Sequence, residues 1–136
     1  MSMYTVTLVF THHFQKVLLA PKRLENGRRH HNGIEGKRQG EETMEEAAYR
    51  SLTEKTSLSR EKIAPLALLM TQQFPNEDVL SIFFTHLQED VREEHVALRG
   101  LLWRDVNAMV NVNDSSLSGY GSLPYWVHYA HRHQPT

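Results

Sequence analysis

Cysteine is absent from this chain. Its absence excludes a disulfide framework, a thiolate zinc site and a cysteine nucleophile, and it fits a reducing compartment. An excess of charge of one sign is missing too. With 15 basic and 16 acidic residues the formal charge is -1, so the field of the whole molecule steers it toward neither nucleic acid nor membrane. No apolar run reaches the length needed to span a bilayer. The opening stretch "MSMYTVTLVF" carries no basic region and no cleavage pattern, so no signal peptide is read there. A soluble cytoplasmic protein is the expectation. Internal repeats, low-complexity tracts and a linker able to divide two domains are all lacking.

What is present is an ordinary globular composition. The 136 residues are 40% hydrophobic and 23% charged, which suits a single domain over 1–136 with a core of its own. Nine histidines are many for this length.

Periodicity sorts the chain into elements. "MYTVTLVF" alternates and is rich in β-branched residues, and "KVLLAPKR" follows it after "THHFQ", so the two read as a strand hairpin. "LENGRRHHNG" is a polar loop with a short strand near its end. Thr43 opens the strongest helix of the chain: Thr43 and Glu46 form a capping-box pattern, acids fill the first turn, and Met44, Ala47, Ala48 and Leu52 make an apolar side. The helix is expected to end near residue 56. "KIAPLALLMTQQF" and "DVLSIFFTHL", separated by "PNE", read as an antiparallel hairpin in which Phe83 and Phe84 belong to the core. The charged residues 88–97 read as loop. "LRGLLW" follows as a short strand, "RDVNAM" as a helical turn and "LPYWVHYAHRH" as a C-terminal helix with Pro124 in its first turn. Antiparallel strands with helices inserted between them make an α+β fold, a mixed sheet held between helices.

The stretch "GKRQGEETMEEAAYRSLTEKTSL", Gly36 to Leu58, carries the chemistry. It resembles the Nudix box: a glycine, five residues, Glu, seven residues, then Arg-Glu-aliphatic-x-Glu-Glu-x-Gly-aliphatic. Gly36, Glu42, Arg50, Leu52, Glu54 and Leu58 fall in register, whereas Ser51, Lys55 and Ser57 stand where the pattern has Glu, Glu and Gly. "HHNGIEGK", "LLWRDVNAM" and "LPYWVHYAHRH" are similar to the strand entering the box, the late strand and the C-terminal helix of the MutT-like and oxidised-purine nucleoside triphosphatases. The resemblance implies an α/β/α sandwich. It also implies cleavage of a phosphoanhydride in a nucleoside triphosphate or other nucleoside diphosphate-X compound, with Mg²⁺ or Mn²⁺ neutralising the phosphates and a carboxylate activating water. Pairing of two copies is implied as well, although no dimer surface is identified.

Carried over residue by residue, the resemblance gives Glu42 and Glu54 as metal ligands or water activators and Arg50 as the group that orients them. The resemblance gives the carbonyl that precedes the box glycine, that of Glu35, as a further metal ligand, and the carboxylate of Glu35 or of Glu41 is expected to replace part of the lost helix carboxylates. The resemblance also gives Asn32 as a base-reading amide. From the residues themselves, Lys22 and Arg23 are candidate phosphate contacts or a solvated strand end, and Trp126 beside Tyr125 is a candidate stacking platform.

Each of these has a plainer reading. Glu41, Glu42, Glu45 and Glu46 are ordinary acids of a helix start, Arg50 and Glu54 an ordinary i, i+4 pair. Asn32 is an ordinary turn residue before Gly33, and Tyr125 and Trp126 are ordinary packing residues of a helix on a sheet. The pairs His12–His13 and His30–His31 are adjacent, so on a strand they face opposite ways and hold no metal between them. His128 and His131 share a helix face without a further ligand in view. Most of the histidines read as solvated. Glu93 and Glu94 lie where the family places one more metal-binding Glu. Ser122 and Leu123 stand where the relatives have base-reading acids.

Helix positions 51, 54 and 55 share one face. Three carboxylates there would converge on a metal cluster, which is what a hard cation with oxygen ligands requires. This chain offers Ser51, Glu54 and Lys55, and an ammonium ~4 Å from Mg²⁺ is repelled by several kcal/mol at an intermediate dielectric. Two functions therefore stand side by side. One is a Mg²⁺-dependent nucleotide pyrophosphohydrolase with a reduced metal site. The other is a nucleotide-binding or regulatory protein in which Lys55 replaces the metal as a fixed counter-charge. A third role, as a platform for a protein partner, is left open by the fold alone.

Overall fold

The computed structural model describes residues 1–23, 27, 29–97, 99–109 and 123–133, without the side chains of Arg23, Arg29 and Glu93. Along the chain run β1 (Met3–Phe10), β2 (Lys16–Arg23), β3 (Arg29–Asn32), β4 (Ile34–Lys37), α1 (Met44–Thr56), β5 (Ala67–Gln73), β6 (Val79–His86), α2 (Glu93–Ala97), β7 (Leu102–Asp105) and α3 (Leu123–Arg132), with single 3-10 turns at Arg60–Lys62 and Val106–Ala108. No described helix is long and apolar enough to cross a membrane.

The strands form one mixed sheet in the order β3-β2-β1-β6-β5, with β4 added on β1 and β7 on β2. Alternation along β1 sets the layers. Val6, Leu8 and Phe10 pack with Val17, Leu19, Ile82 and Phe84 beneath Val106, Met109 and α3. Val9 faces the other way, with Leu18 and Ile34, against Tyr49 and Leu52 of α1, Leu58, Ile63, and Val96 of α2. A sheet apolar on both faces needs cover on both, and the result is the expected α+β sandwich.

β1 lies at the centre. Along one edge it pairs in parallel with β6 over its whole length, Met3↔Val79 to Phe10↔His86. Along the other it is shared: β4 takes Tyr4↔Lys37 to Thr7↔Ile34, and β2 meets it at Phe10↔Val17. The expected β1–β2 hairpin therefore touches only near its turn, where Thr11 Oγ1 accepts from the amides of Gln15 (3.1 Å) and Lys16 (3.0 Å). The rest of β2 pairs with β7 and β3. The β5–β6 hairpin forms as expected, antiparallel with a bulge between Leu68 and Met70.

Three expectations are corrected. The single short strand before the box is two, split at Gly33, where a Cβ would come within 2.9 Å of Leu8 Cδ2 and the Thr7 carbonyl. Residues 88–97 are not all loop: Val96, 1% exposed, anchors the five-residue α2. The strand read over 98–103 lies at Leu102–Asp105 instead. The histidines are exposed or half-buried, and several also bond to main-chain carbonyls: His12 to Leu87 (3.0 Å), His95 to Thr56 (3.1 Å) and His128 to Met109 (2.7 Å).

Candidate functional site

The box begins on β4 and continues into α1. Helix α1 starts where the sequence pattern places it. Thr43 Oγ1 accepts from the Glu46 amide (3.1 Å), and Glu46 Oε1 accepts from the Thr43 amide (3.0 Å), so two of the unpaired donors of a helix start are satisfied reciprocally. Gly36 lies directly under the helix. A Cβ there would sit 2.6 Å from Ser51 Cβ and 2.8 Å from Thr5 Oγ1. Only glycine lets β4 and α1 approach this closely.

Arg50 ties the loop to the helix. Its Nε donates to Glu42 Oε2 (2.7 Å), and its Nη2 donates to Glu42 Oε1 (3.0 Å) and to the Lys37 carbonyl (2.7 Å). The Gln39 amide adds a bond to Glu42 Oε1 (2.8 Å). Hydrogen bonding from Arg50, and then from the Gln39 amide, holds the Glu42 carboxyl below the usual carboxylate range; the same pairing pushes Arg50 up. A forked guanidinium–carboxylate pair fixes orientation as well as charge. Arg50 Nη1 also reaches Glu54 Oε2 at 3.5 Å, but the Glu54 side chain is 61% exposed.

The three residues expected to share a metal-facing surface have different fates. Ser51 is 3% exposed and packs on Gly36. Glu54 reaches into solvent beside Arg50. Lys55 extends across to β4 and donates its ammonium to the main-chain carbonyl of Glu35. That carbonyl is the one the resemblance assigns to a metal.

The Glu35 carboxylate is engaged too. Its Oε1 accepts from Asn32 Nδ2 (2.7 Å) and from Lys22 Nζ (3.3 Å). Asn32 is 5% exposed, and its Oδ1 accepts from the Gly33 amide (2.9 Å). Each end of the Asn32 amide therefore makes one bond to the chain itself. Trp126 of α3, 3% exposed, packs into the core, and the exposed aromatic of the pair is Tyr125 at 56%. The Arg23 side chain, the Glu93 side chain and Ser122 lie outside the described residues. Sequence reasoning missed the hydroxyls of Thr5 and Thr7, which are buried without a hydrogen-bond partner; Thr5 faces Gly36 across the β1–β4 pair. Their alternation with Val6 and Leu8 was the available signal. An open hollow of about 430 Å³ lies elsewhere, between His13, Lys16, Asp105, Asn107 and His131, and no box residue lines it.

A divalent metal does not fit this donor set. Both Glu42 oxygens are bonded to Arg50, an ammonium takes the Glu35 carbonyl, and among the described residues no three His, Cys, Asp or Glu side chains come together as a metal group. A hard cation asks for six or more oxygen ligands, with water making up any shortfall.

No family model and no curated protein sequence matches the chain. Solved structures do. The Escherichia coli dihydroneopterin triphosphate pyrophosphohydrolase superposes with a TM-score of 0.71 at 16% identity, over 97% of this chain and 96% of that one. The chain has the Nudix fold. A mutT/nudix family protein from Listeria innocua gives 0.68 at 16% identity, over 97% and 92%. The Caenorhabditis elegans Ap4A hydrolase gives 0.67 at 12% identity, over 97% of each chain.

Proposed function

We infer that this protein binds the phosphate chain of a nucleoside di- or triphosphate, or of a related nucleoside diphosphate-X compound, at the surface where β4 meets α1. A protein ammonium serves there as the counter-charge. The observation that carries this reading is the bond from Lys55 to the Glu35 carbonyl. It puts a permanent cation at the position the resemblance gives to a metal, held by one of the metal's own expected ligands. Lys22 adds a second cation nearby, its side chain 49% exposed. Similar folds bear on the ligand class, since two of the proteins named above are described as a hydrolase of Ap4A and a pyrophosphohydrolase of dihydroneopterin triphosphate.

The reading is tested by titrating nucleoside mono-, di- and triphosphates in EDTA. Saturable binding without metal, weakened about tenfold or more by Lys55→Ala, is expected, since charge-assisted hydrogen bonds to phosphate are among the strong ones. Failure of every nucleotide to bind in EDTA overturns it.

Hydrolysis of the same ligand is a second reading, favoured by the exposed Glu54 carboxylate beside the Arg50–Glu42 pair. Release of phosphate or pyrophosphate in the presence of Mg²⁺ or Mn²⁺, abolished by Glu54→Gln, would select it over binding alone.

A further inference from the structure

We propose that Glu35 is a built-in competitor for the ligand: its carboxylate holds donors that a phosphate group would take, and it thereby sets the affinity of the site. The inference rests on the reading above and concerns the side chain of Glu35, whereas that reading rests on Lys55 and the main chain.

The geometry converges on one oxygen. Glu35 Oε1 receives the Asn32 amide at 2.7 Å and the Lys22 ammonium at 3.3 Å, while the carbonyl of the same residue receives the Lys55 ammonium. One residue thus connects two cations, one through each of its oxygen-bearing groups. The Asn32 amide is locked from its other side by the Gly33 amide (2.9 Å). Its Nδ2 therefore stays aimed at the place where the Glu35 carboxylate sits. A locked donor beside a half-exposed lysine is suited to an anion, and the chain fills the place with its own.

The hold is weak enough to exchange. The side chains of Lys22 and Glu35 are 49% and 35% exposed, and ion pairs this solvated contribute little. A phosphate group brings more oxygens and more charge than a carboxylate, so it competes well for the same donors. The cost of displacing Glu35 appears as lost affinity, together with repulsion between the displaced carboxylate and the bound phosphates.

The experiment measures binding of inorganic tripolyphosphate and of ADP in EDTA to wild type, Glu35→Ala, Glu35→Gln and Glu35→Ala/Lys22→Ala, with melting temperatures confirming that each variant folds. Glu35→Ala is expected to bind about two- to fivefold more tightly than wild type, the range that removing an exposed pair allows. Glu35→Gln should fall between the two, and the Lys22→Ala background should erase the gain. Wild type that binds while Glu35→Ala binds equally or less tightly overturns the inference and leaves the proposed function standing. Binding by Glu35→Ala alone supports the inference and shows the native site closed by its own carboxylate. Binding by no variant overturns both.

Discussion

Lys55 is where the chemistry of this chain departs from the Nudix box, and a single substitution there has a defined consequence. Lys55→Glu removes the ammonium from the Glu35 carbonyl and sets a carboxylate next to Glu54, returning two acids to one helix face. Wild type should show no saturable Mn²⁺ binding at millimolar metal, whereas Lys55→Glu should bind with a Kd of roughly 1 mM or below, in the weak range of sites with few charged ligands. Electron paramagnetic resonance of free Mn²⁺ reads both, and equal titrations would show that Lys55 is not what excludes the metal. Ser51 responds differently. It is buried against Gly36, so Ser51→Glu must displace the helix or carry its carboxylate out past the strand, and it adds less than its place in the box suggests. The register of Gly36, Glu42, Arg50 and Glu54 was legible through the resemblance to the Nudix box, and the shared face of Arg50 and Glu54 through helix spacing. The partners of Glu35 and Asn32 were not, because they depend on where β3 and β4 bend around Gly33.

At the scale of elements, the joint between β4 and α1 is the tightest place described. Gly36→Ala should destabilise the protein by about 1–3 kcal/mol through overpacking, and Ser51→Gly in the same chain should recover much of that loss; urea denaturation of the four variants in the cycle measures the coupling. The other end of α1 offers the opposite outcome. Ser57 closes the helix in the left-handed region, φ 59°, with its amide bonded to the Thr53 carbonyl. A residue with a Cβ costs about 1–2 kcal/mol in that conformation. Ser57→Gly should therefore stabilise by about 0.5–1 kcal/mol, since glycine gives part of the gain back in unfolded-chain entropy. Unchanged denaturation midpoints would mean that the cap is relaxed. Helix α1 could be read from the sequence to within a residue because its capping box is a local signal, and the β5–β6 hairpin because turn residues separate two apolar runs. Helix α2 could not, since among its described side chains only Val96 is buried and five residues show no period. The limited β1–β2 contact was hidden for a different reason: β4, not β2, takes the first half of β1, and that choice is made by tertiary packing.

For the whole molecule, acid sensitivity follows from His86 at the end of β6. Burial, with a smaller contribution from the charge of His12, pushes its imidazole below the usual range, and Phe14 lies 5.1 Å from its ring. The fold disfavours the imidazolium, so the unfolded chain takes up the proton first. Stability from this group is complete above about pH 6.5 and declines as pH falls from there toward the lowered native pKa. The melting temperature should drop between pH 7 and 5, and His86→Phe should flatten that part of the profile; an equal slope in the variant would assign the loss to other groups.

The central strand carries a cost during synthesis. Its parallel neighbour, β6, is made about 70 residues after it, which at translation rates of ~5–20 residues per second is a wait of roughly 4–14 s. Helix α1 and β4 emerge in that interval and can shield only the edge of β1 that they share. The other edge stays open on the nascent chain until Val79–His86 leave the ribosome. Chains interrupted before that point present an unpaired apolar strand, the kind of surface that chaperones hold and that aggregates recruit.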